Sequence, residues 1–281
     1  MREIEIVHAN PAGNITVFVC GEWEDWTAEE RETSAVKLLA DKQLKAEQLG
    51  FIKEPRRTNE FWRLDMAGGE FCGNAARAFG FYAAYSEGSR GAGRIIIEMS
   101  GAAVPLSVDY DIPDAVSGIL NGDISGFAST AIPLPRKRKT ISYQGRECPL
   151  YIFDGIHHLI IEDTPGGEDC FFALKGLAEK EAGLADAFGV LFYNRAEDIL
   201  QPVVFVRALN TMTFESSCGS GSAAFACEYF INKSEGEGSV LVRQPGGVIK
   251  ASVVKNRGEI AGISIGGPVT IQKKRKYHLP A

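Results

Sequence analysis

The chain has 281 residues, 45% of them hydrophobic and 23% charged, with a net charge of −6 at pH 7. That length supports one large or two ordinary domains with a real core, and the acidic balance gives a general nucleic-acid partner no electrostatic footing. No apolar run approaches the roughly 18 residues needed to cross a bilayer, and the opening "MREIEIVHAN" has no signal-peptide apolar stretch. No membrane partner and a cytoplasmic location are therefore expected.

Residues 3–8 and 15–20 read as two strands around the turn "ANPAGN". Thr27 followed by Glu30 is a capping box, and helical periodicity continues to about Leu44. Strands are expected at 50–53, 61–66, 94–99 and 103–110. A helix begins after Cys72 and runs to about Ser86. Its apolar positions, among them Ala75, Ala78, Phe79 and Ala83, go nearly all round, the pattern of a buried helix. The segment 130–145, "TAIPLPRKRKTISYQG", is Pro-rich and basic and marks a domain boundary. Beyond it come strands at 149–153, 157–162 and 201–206 and a helix from about Glu168 to Gly183. A second small-residue helix follows Cys218, "GSGSAAFACEYFINK", and strands at 239–243, 248–255 and 260–265 complete the pattern.

Each half thus offers strands and one alanine-rich helix headed by Cys-Gly, in "GGEFCGNAARAFG" (68–80) and "FESSCGSGSAAFA" (214–226). Similarity at about half the chain length indicates a duplicated α/β fold rather than a solenoid. The expected division is a first half over 1–132 carrying Cys72 and a second over 133–265 carrying Cys218. A C-terminal strand, about 266–281, is a candidate to pack back on the first half.

Six cysteines (20, 72, 148, 170, 218 and 227) contain no C-x-x-C pair, and only His157 and His158 of the four histidines are adjacent, so no metal site is expected. Cys20, Cys148, Cys170 and Cys227 read as small packing residues. The basic runs "RKRK" (136–139) and "KKRK" (273–276) read as solvated faces or linker edges.

A helix N-terminus leaves about four backbone N–H groups without intrahelical partners and carries roughly half a positive charge. Glycine directly after the cysteine lets a ligand approach that backbone, and such an end binds carboxylates. The same field favours the thiolate. A thiolate beside a bound carboxylate is equipped to take a proton from the adjacent carbon. Two of them, on opposite faces of one carbon, would remove the proton from one side and return it from the other, with no Schiff-base cofactor. One cysteine before a helix is more often structural; one in each of two matching mouths reverses that. A module that binds carboxylates without chemistry is the competing use.

At these residues the chain resembles the diaminopimelate epimerase family, cofactor-independent amino-acid racemases. "EFCGNAARAFG" and "ESSCGSGSAAFA" are similar to its two signature segments, and the likeness runs from "NPAGN" at 10–14 to "RQPGG" at 243–247. The resemblance implies an α/β (α+β) fold of two pseudo-symmetric domains, each a curved mixed or antiparallel sheet around a buried central helix. It implies that Cys72 and Cys218 are the acid/base pair. It further implies that backbone groups at Gly73, Asn74, Gly219 and Ser220 grip the α-carboxylate, and that Asn14 and Gln48 bind substrate. An isomerase of the phenazine-biosynthesis type, which shares the duplicated fold, lacks the cysteine pair.

Two departures bear on the substrate. The family's Gly-Asn-Pro-His segment appears as "GIHH" at 155–158, and no Glu-Arg-Gly precedes Cys218, where the chain reads "VRALNTMTFESSC". Those elements hold the far end of diaminopimelate, and leaving that charged end unpaired costs on the order of several kcal/mol. A different amino acid is expected. Within the family, "NPAGNITVFV", "EQLGFI" and "SCGSGS" are most similar to the histidine racemases that supply D-histidine for opine-type metallophores. On that resemblance Glu47 is a candidate partner for the substrate's amino or imidazole group; its alternative is an exposed strand-edge acid. His158 falls where the family keeps a histidine near the pocket; its alternative is a packed or surface histidine. The expected partner is a small amino-acid substrate, histidine on this resemblance, with an epimerase of diaminopimelate or a racemase of another amino acid such as proline as the alternative. A C2 homodimer is the default assembly.

Overall fold

A computed structural model describes residues 2–55, 60–113, 119–120 and 123–279. The chain divides into two units, Met1–Thr130 with Gly266–Ala281, and Ala131–Ile265. The first contains β1 (Glu3–Asn10), β2 (Thr16–Cys20), α1 (Ala28–Ala40), β3 (Gln48–Lys53), β4 (Trp62–Met66), α2 (Gly73–Ser86), β5 (Gly91–Met99), β6 (Leu106–Ile112), β7 (Ile119–Leu120) and β8 (Asp123–Ala131). The second contains β9 (Lys137–Tyr143), β10 (Arg146–Ile152), β11 (Ile156–Glu162), α3 (Glu168–Ala182), β12 (Ala187–Asn194), β13 (Ile199–Val206), β14 (Thr211–Phe214), α4 (Gly219–Phe230), β15 (Gly236–Gln244) and β16 (Gly247–Asn256). β17 (Glu259–Ile271) begins in the second unit and ends in the first, where β18 (Arg275–His278) pairs with β1. The architecture is mixed α/β with mostly strands, in two sheet domains.

In the first unit β17, β1, β2, β3, β4, β5, β6 and β8 are neighbours in that order, and β8 pairs back with β17. Eight strands thereby close into a barrel among the described residues, which removes exposed edges. Ser125 and Thr270 exchange a hydroxyl hydrogen bond at 2.8 Å on the closing pair. β2–β3 and β4–β5 run parallel, the remaining registered pairs antiparallel. α2 packs on β4, β5 and β6, and every residue from Gly73 through Ala84 is buried. Phe79 meets Phe18 and Trp62 edge-on, at 5.8 and 6.2 Å between ring centres. Such rings contribute about 1.5–3 kcal/mol each by burial. A helix apolar on most faces has its only stable place inside such a layer.

α1 covers a separate cluster of Trp23, Trp26, Leu38, Phe51 and Val19. The Thr27–Glu30 capping box forms in both directions, at 3.1 and 2.7 Å. The helix ends at Ala40, short of Leu44, because the Asp41 carboxylate accepts the Gln43 N–H at 2.8 Å and Lys45 adopts φ 50°. A side chain that closes its own turn competes with the helical ladder.

In the second unit β14, β13, β12, β11, β10 and β9 form a six-stranded sheet, and β16 joins β15 and β17. α3 lies on the six-stranded sheet over Leu150, Leu159, Phe188, Val190 and Val203. α4 packs against β11, β15 and β16. Strands β7, β8, β9, β12 and β14 have no counterpart in the sequence pattern. Residues 187–194, "AFGVLFYN", form the sheet-interior strand β12 between parallel β11 and antiparallel β13. A strand buried on both faces is a continuous apolar run, without the alternation that marks a half-buried one. β8 is rich in small polar residues and shows weak periodicity for the same test. The expected linker at 130–145 instead includes β9, whose Arg138 pairs with Glu228 at 2.8 Å. The basic run 273–276 enters β18, where Lys276 pairs with Glu3 at 2.7 Å.

Candidate active site

The mouth of α2 is built around Cys72. It is the N-cap residue, in extended backbone at φ −126° and ψ 108°, and its sulfur accepts the Ala75 N–H at 3.5 Å. This is the place a serine or aspartate usually takes to satisfy an orphan N–H. Gly73 and Asn74 follow as the first two helical residues, both buried. Asn14, Glu47 and Gln48 form a second cluster in this unit. The loop ahead of β2 turns through Ala12 (φ 59°) and Gly13 (φ 90°), pinned by Gly13 N–H on Asn10 Oδ1 at 2.7 Å. The Glu47 and Gln48 N–H groups both donate to Ile15 O, at 2.9 and 3.1 Å. Asn14 is buried and donates through Nδ2 to Glu47 Oε2 at 2.9 Å. Glu47 is accordingly a half-buried, hydrogen-bonded acid rather than an exposed edge residue.

The mouth of α4 repeats the backbone. Cys218 is its N-cap residue at φ −126° and ψ 118°, and it is buried. Its N–H donates to Gln244 Oε1 at 2.7 Å; Gln244 Nε2 donates to Ser222 Oγ at 2.8 Å; Ser222 Oγ donates to Cys218 O at 2.7 Å. The three bonds form a closed ring that fixes the cap. Ser220 Oγ lies 3.7 Å from Cys218 Sγ and 2.8 Å from His158 Nε2. Gly221 makes room for the sulfur, since a Cβ there would sit 3.3 Å from Cys218 Sγ and 2.7 Å from Leu191 Cδ2.

His158 is packed, fully buried and edge-on to Phe153 at 6.1 Å. Its Nδ1 abuts Gly189, where any side chain would collide with the ring. Burial, reinforced by His157, pulls its pKa down to about 3, so the imidazole is neutral and orients the Ser220 hydroxyl. The remaining cysteines lie in other surroundings. Burial pushes the Cys20 and Cys227 thiols up to about 12, and burial also raises Cys148. Cys170 accepts a long 3.8 Å contact from Tyr143 OH.

Residue patterns alone assign no role to Gln244, Ser222 or Arg77. Gln244 sits inside "RQPGG", whose place in the likeness was the one available signal. Arg77 is a lone cation in an otherwise apolar helix, fully buried on α2, with Nε on Asn74 Oδ1 at 3.2 Å and Nη1 on Pro268 O at 2.9 Å. Among the described residues, no group of three His, Cys, Asp or Glu side chains could hold a metal ion, and no helix is long and apolar enough to cross a membrane.

Among solved structures the chain is similar to a probable proline racemase from Agrobacterium radiobacter K84 with bound carbonate. The TM-score is 0.64 at 11% identity, covering 98% of this chain and 90% of that one, a likeness of fold. A histidine racemase from Fusobacterium nucleatum subsp. nucleatum is 28% identical over 99% of this chain and 98% of its own length. A histidine racemase from Staphylococcus aureus is 22% identical over 88% and 87%. With this fold and these relatives, the chain is an isomerase of the amino-acid racemase class. It belongs to the family described as Histidine racemase CntK N-terminal domain, whose model matches residues 3–277.

Proposed function

We propose that this racemase interconverts L- and D-histidine by proton transfer between two thiols, Cys72 and Cys218, without a pyridoxal or metal cofactor. The observation that carries the reading is the repeated cap: in each unit a buried helix starts at a cysteine with nearly the same backbone angles. One sulfur, as thiolate, takes the α-proton and becomes a thiol. The other, as thiol, delivers its proton to the opposite face of the same carbon and becomes a thiolate. The product leaves with the two protonation states exchanged, and the reverse substrate restores them. Backbone N–H groups at Gly73, Asn74, Gly219 and Ser220 hold the α-carboxylate, where negative charge grows as the proton leaves. Binding the substrate against both sulfurs supplies proximity.

Histidine as substrate is supported by the family and its relatives. The hydrogen-bonded Asn14–Glu47 pair, with Gln48 beside it in sequence, offers acceptors for the amino and imidazole N–H groups. His158 acts through Ser220 rather than on substrate. The halves 1–132 and 133–265 are read as two copies of one ancestral unit of the diaminopimelate epimerase type, with the strand over 266–281 returning to the first. In the cytoplasm, where thiols stay reduced, the D-histidine formed would serve an opine-type metallophore pathway. Chiral chromatography of L-histidine, proline and diaminopimelate after incubation with the enzyme tests the assignment. D-histidine should accumulate to a racemic mixture while the other two remain unchanged. Inversion of diaminopimelate or proline but not histidine would overturn the substrate.

A further inference from the structure

We infer that Arg77 is a positioning residue that holds Cys72 as the resting thiolate, so that Cys72 rather than Cys218 is the ionised sulfur of the free enzyme. The inference rests on the two-thiol reading and adds to it which thiol carries the charge.

Arg77 lies five residues past Cys72 on α2, and helical side chains lean toward the N-terminus. Its Nε hydrogen bond to Asn74 Oδ1 shows the guanidinium directed back toward the mouth. Arg77 is fully buried, yet its Nη2 has no hydrogen-bond partner and no carboxylate pairs with it among the described residues. Desolvating a cation without a counter-ion is strongly unfavourable, so the site calls for an anion. Charged groups on the strands packed against α2 are engaged elsewhere: Arg63 with Asp65 and Glu98, Arg94 with Asp109. Asp111 is exposed, and Tyr82 interacts with Cys20. Burial lowers the Arg77 pKa to about 10, and the one charge opposing that shift is Cys72.

The second unit has no arginine at the matching helix position. Five residues past Cys218 stands Ala223, and the cap partners Gln244, Ser222, Ser220 and neutral His158 carry no charge. On the strands around α4, Lys255 binds the carbonyls of Ile231 and Lys233 and Glu162 pairs with Arg195, while Glu237, Arg243 and Lys250 are exposed. A buried glutamate precedes each cysteine, Glu70 in one unit and Glu215 in the other, so acids do not distinguish the two mouths. The guanidinium does. Two mouths with the same backbone are thereby biased toward one thiolate and one thiol.

The test is site-resolved alkylation of the full-length enzyme with iodoacetamide across a pH series, read by peptide mass spectrometry. Cys72 should react at lower pH than Cys218 in the wild type. Arg77→Gln should shift the Cys72 profile upward by about one pH unit, about a tenfold loss of thiolate at fixed pH below the midpoint, and leave the Cys218 profile in place. Arg77→Lys, which keeps the charge, should restore most of the shift. A wild-type profile with Cys218 ionising first, or a folded Arg77→Gln enzyme with an unmoved Cys72 profile, would overturn the inference. If Arg77→Gln does not fold by circular dichroism, the wild-type order decides. Racemisation by the cysteine-to-serine variants separates the two levels. Wild-type rates there refute the two-thiol reading itself, whereas inactive variants with a reversed alkylation order refute only the role of Arg77.

Discussion

The mouths of α2 and α4 share a backbone and differ in almost every side chain that surrounds it. Both begin at a cysteine with φ −126° and ψ within 10° of one another, followed by glycine. Then Asn74 stands against Ser220, Ala75 against Gly221, and Arg77 against Ala223. Cys72 takes its own helix N–H as a capping partner, while the Cys218 sulfur makes no cap bond and its backbone is held by the Gln244–Ser222 ring. The shared part is an N-cap cysteine followed by glycine at the start of a buried helix. The divergent part does different work in each unit: around Cys218 it holds the backbone through Gln244 and Ser222, and beside Cys72 it supplies the buried guanidinium proposed above to favour the thiolate.

The strongest way to break the comparison is to remove either sulfur. Cys72→Ser and Cys218→Ser should each lower racemisation by orders of magnitude with thermal stability kept, as measured by steady-state kinetics and a melting curve. Equal, wild-type rates in both would remove the thiols from the mechanism. Next comes Gln244→Leu, which leaves the buried Cys218 N–H without its acceptor. It should cost about 1–3 kcal/mol of unfolding free energy and reduce kcat. Gly221→Ala pushes a methyl toward Leu191 and Cys218 Sγ, and about 1 kcal/mol is expected from such overpacking. Ala75→Gly, at the matched position of α2, should cost about 1 kcal/mol through helix propensity instead. Denaturant titration of the two variants, with kcat, distinguishes a displaced sulfur from a softened helix.

An effect of similar size concerns pH. His158 has a folded-state pKa of about 3 against an ordinary 6.5, so the unfolded chain binds a proton that the folded one refuses. Its contribution to stability is complete above about pH 6.5 and is lost as the pH falls from there toward 3. At about pH 5.5 the loss is about 1.4 kcal/mol. Unfolding curves at about pH 8 and about pH 5.5 should show it, and His158→Gln should flatten that dependence. An unchanged slope in the variant would show that His158 is not the group responsible.

Local chemistry made much of this legible in the sequence. The Thr27–Glu30 box, the two Cys-Gly helix starts and the all-round apolar pattern of α2 and α4 each depend on residues within a few positions of one another. What escaped depends on distance along the chain. Gln244 reaches Cys218 across 26 residues, and His158 reaches Ser220 across 62, contacts that no spacing rule encodes. β12 escaped because burial on both faces erases the alternation by which a strand is read. Arg77 stands as a charge in an apolar helix, but its complete burial and its unpartnered Nη2 depend on the folded chain.

The central claim is a proton taken from carbon by one sulfur and replaced by another, and its most direct measurement is solvent deuterium at the α-carbon. L-histidine incubated with the enzyme in heavy water should give D-histidine carrying one α-deuterium per molecule inverted, and either serine variant should abolish that inversion. Formation of D-histidine without α-deuterium, or undiminished labelled product from both serine variants, would contradict the account.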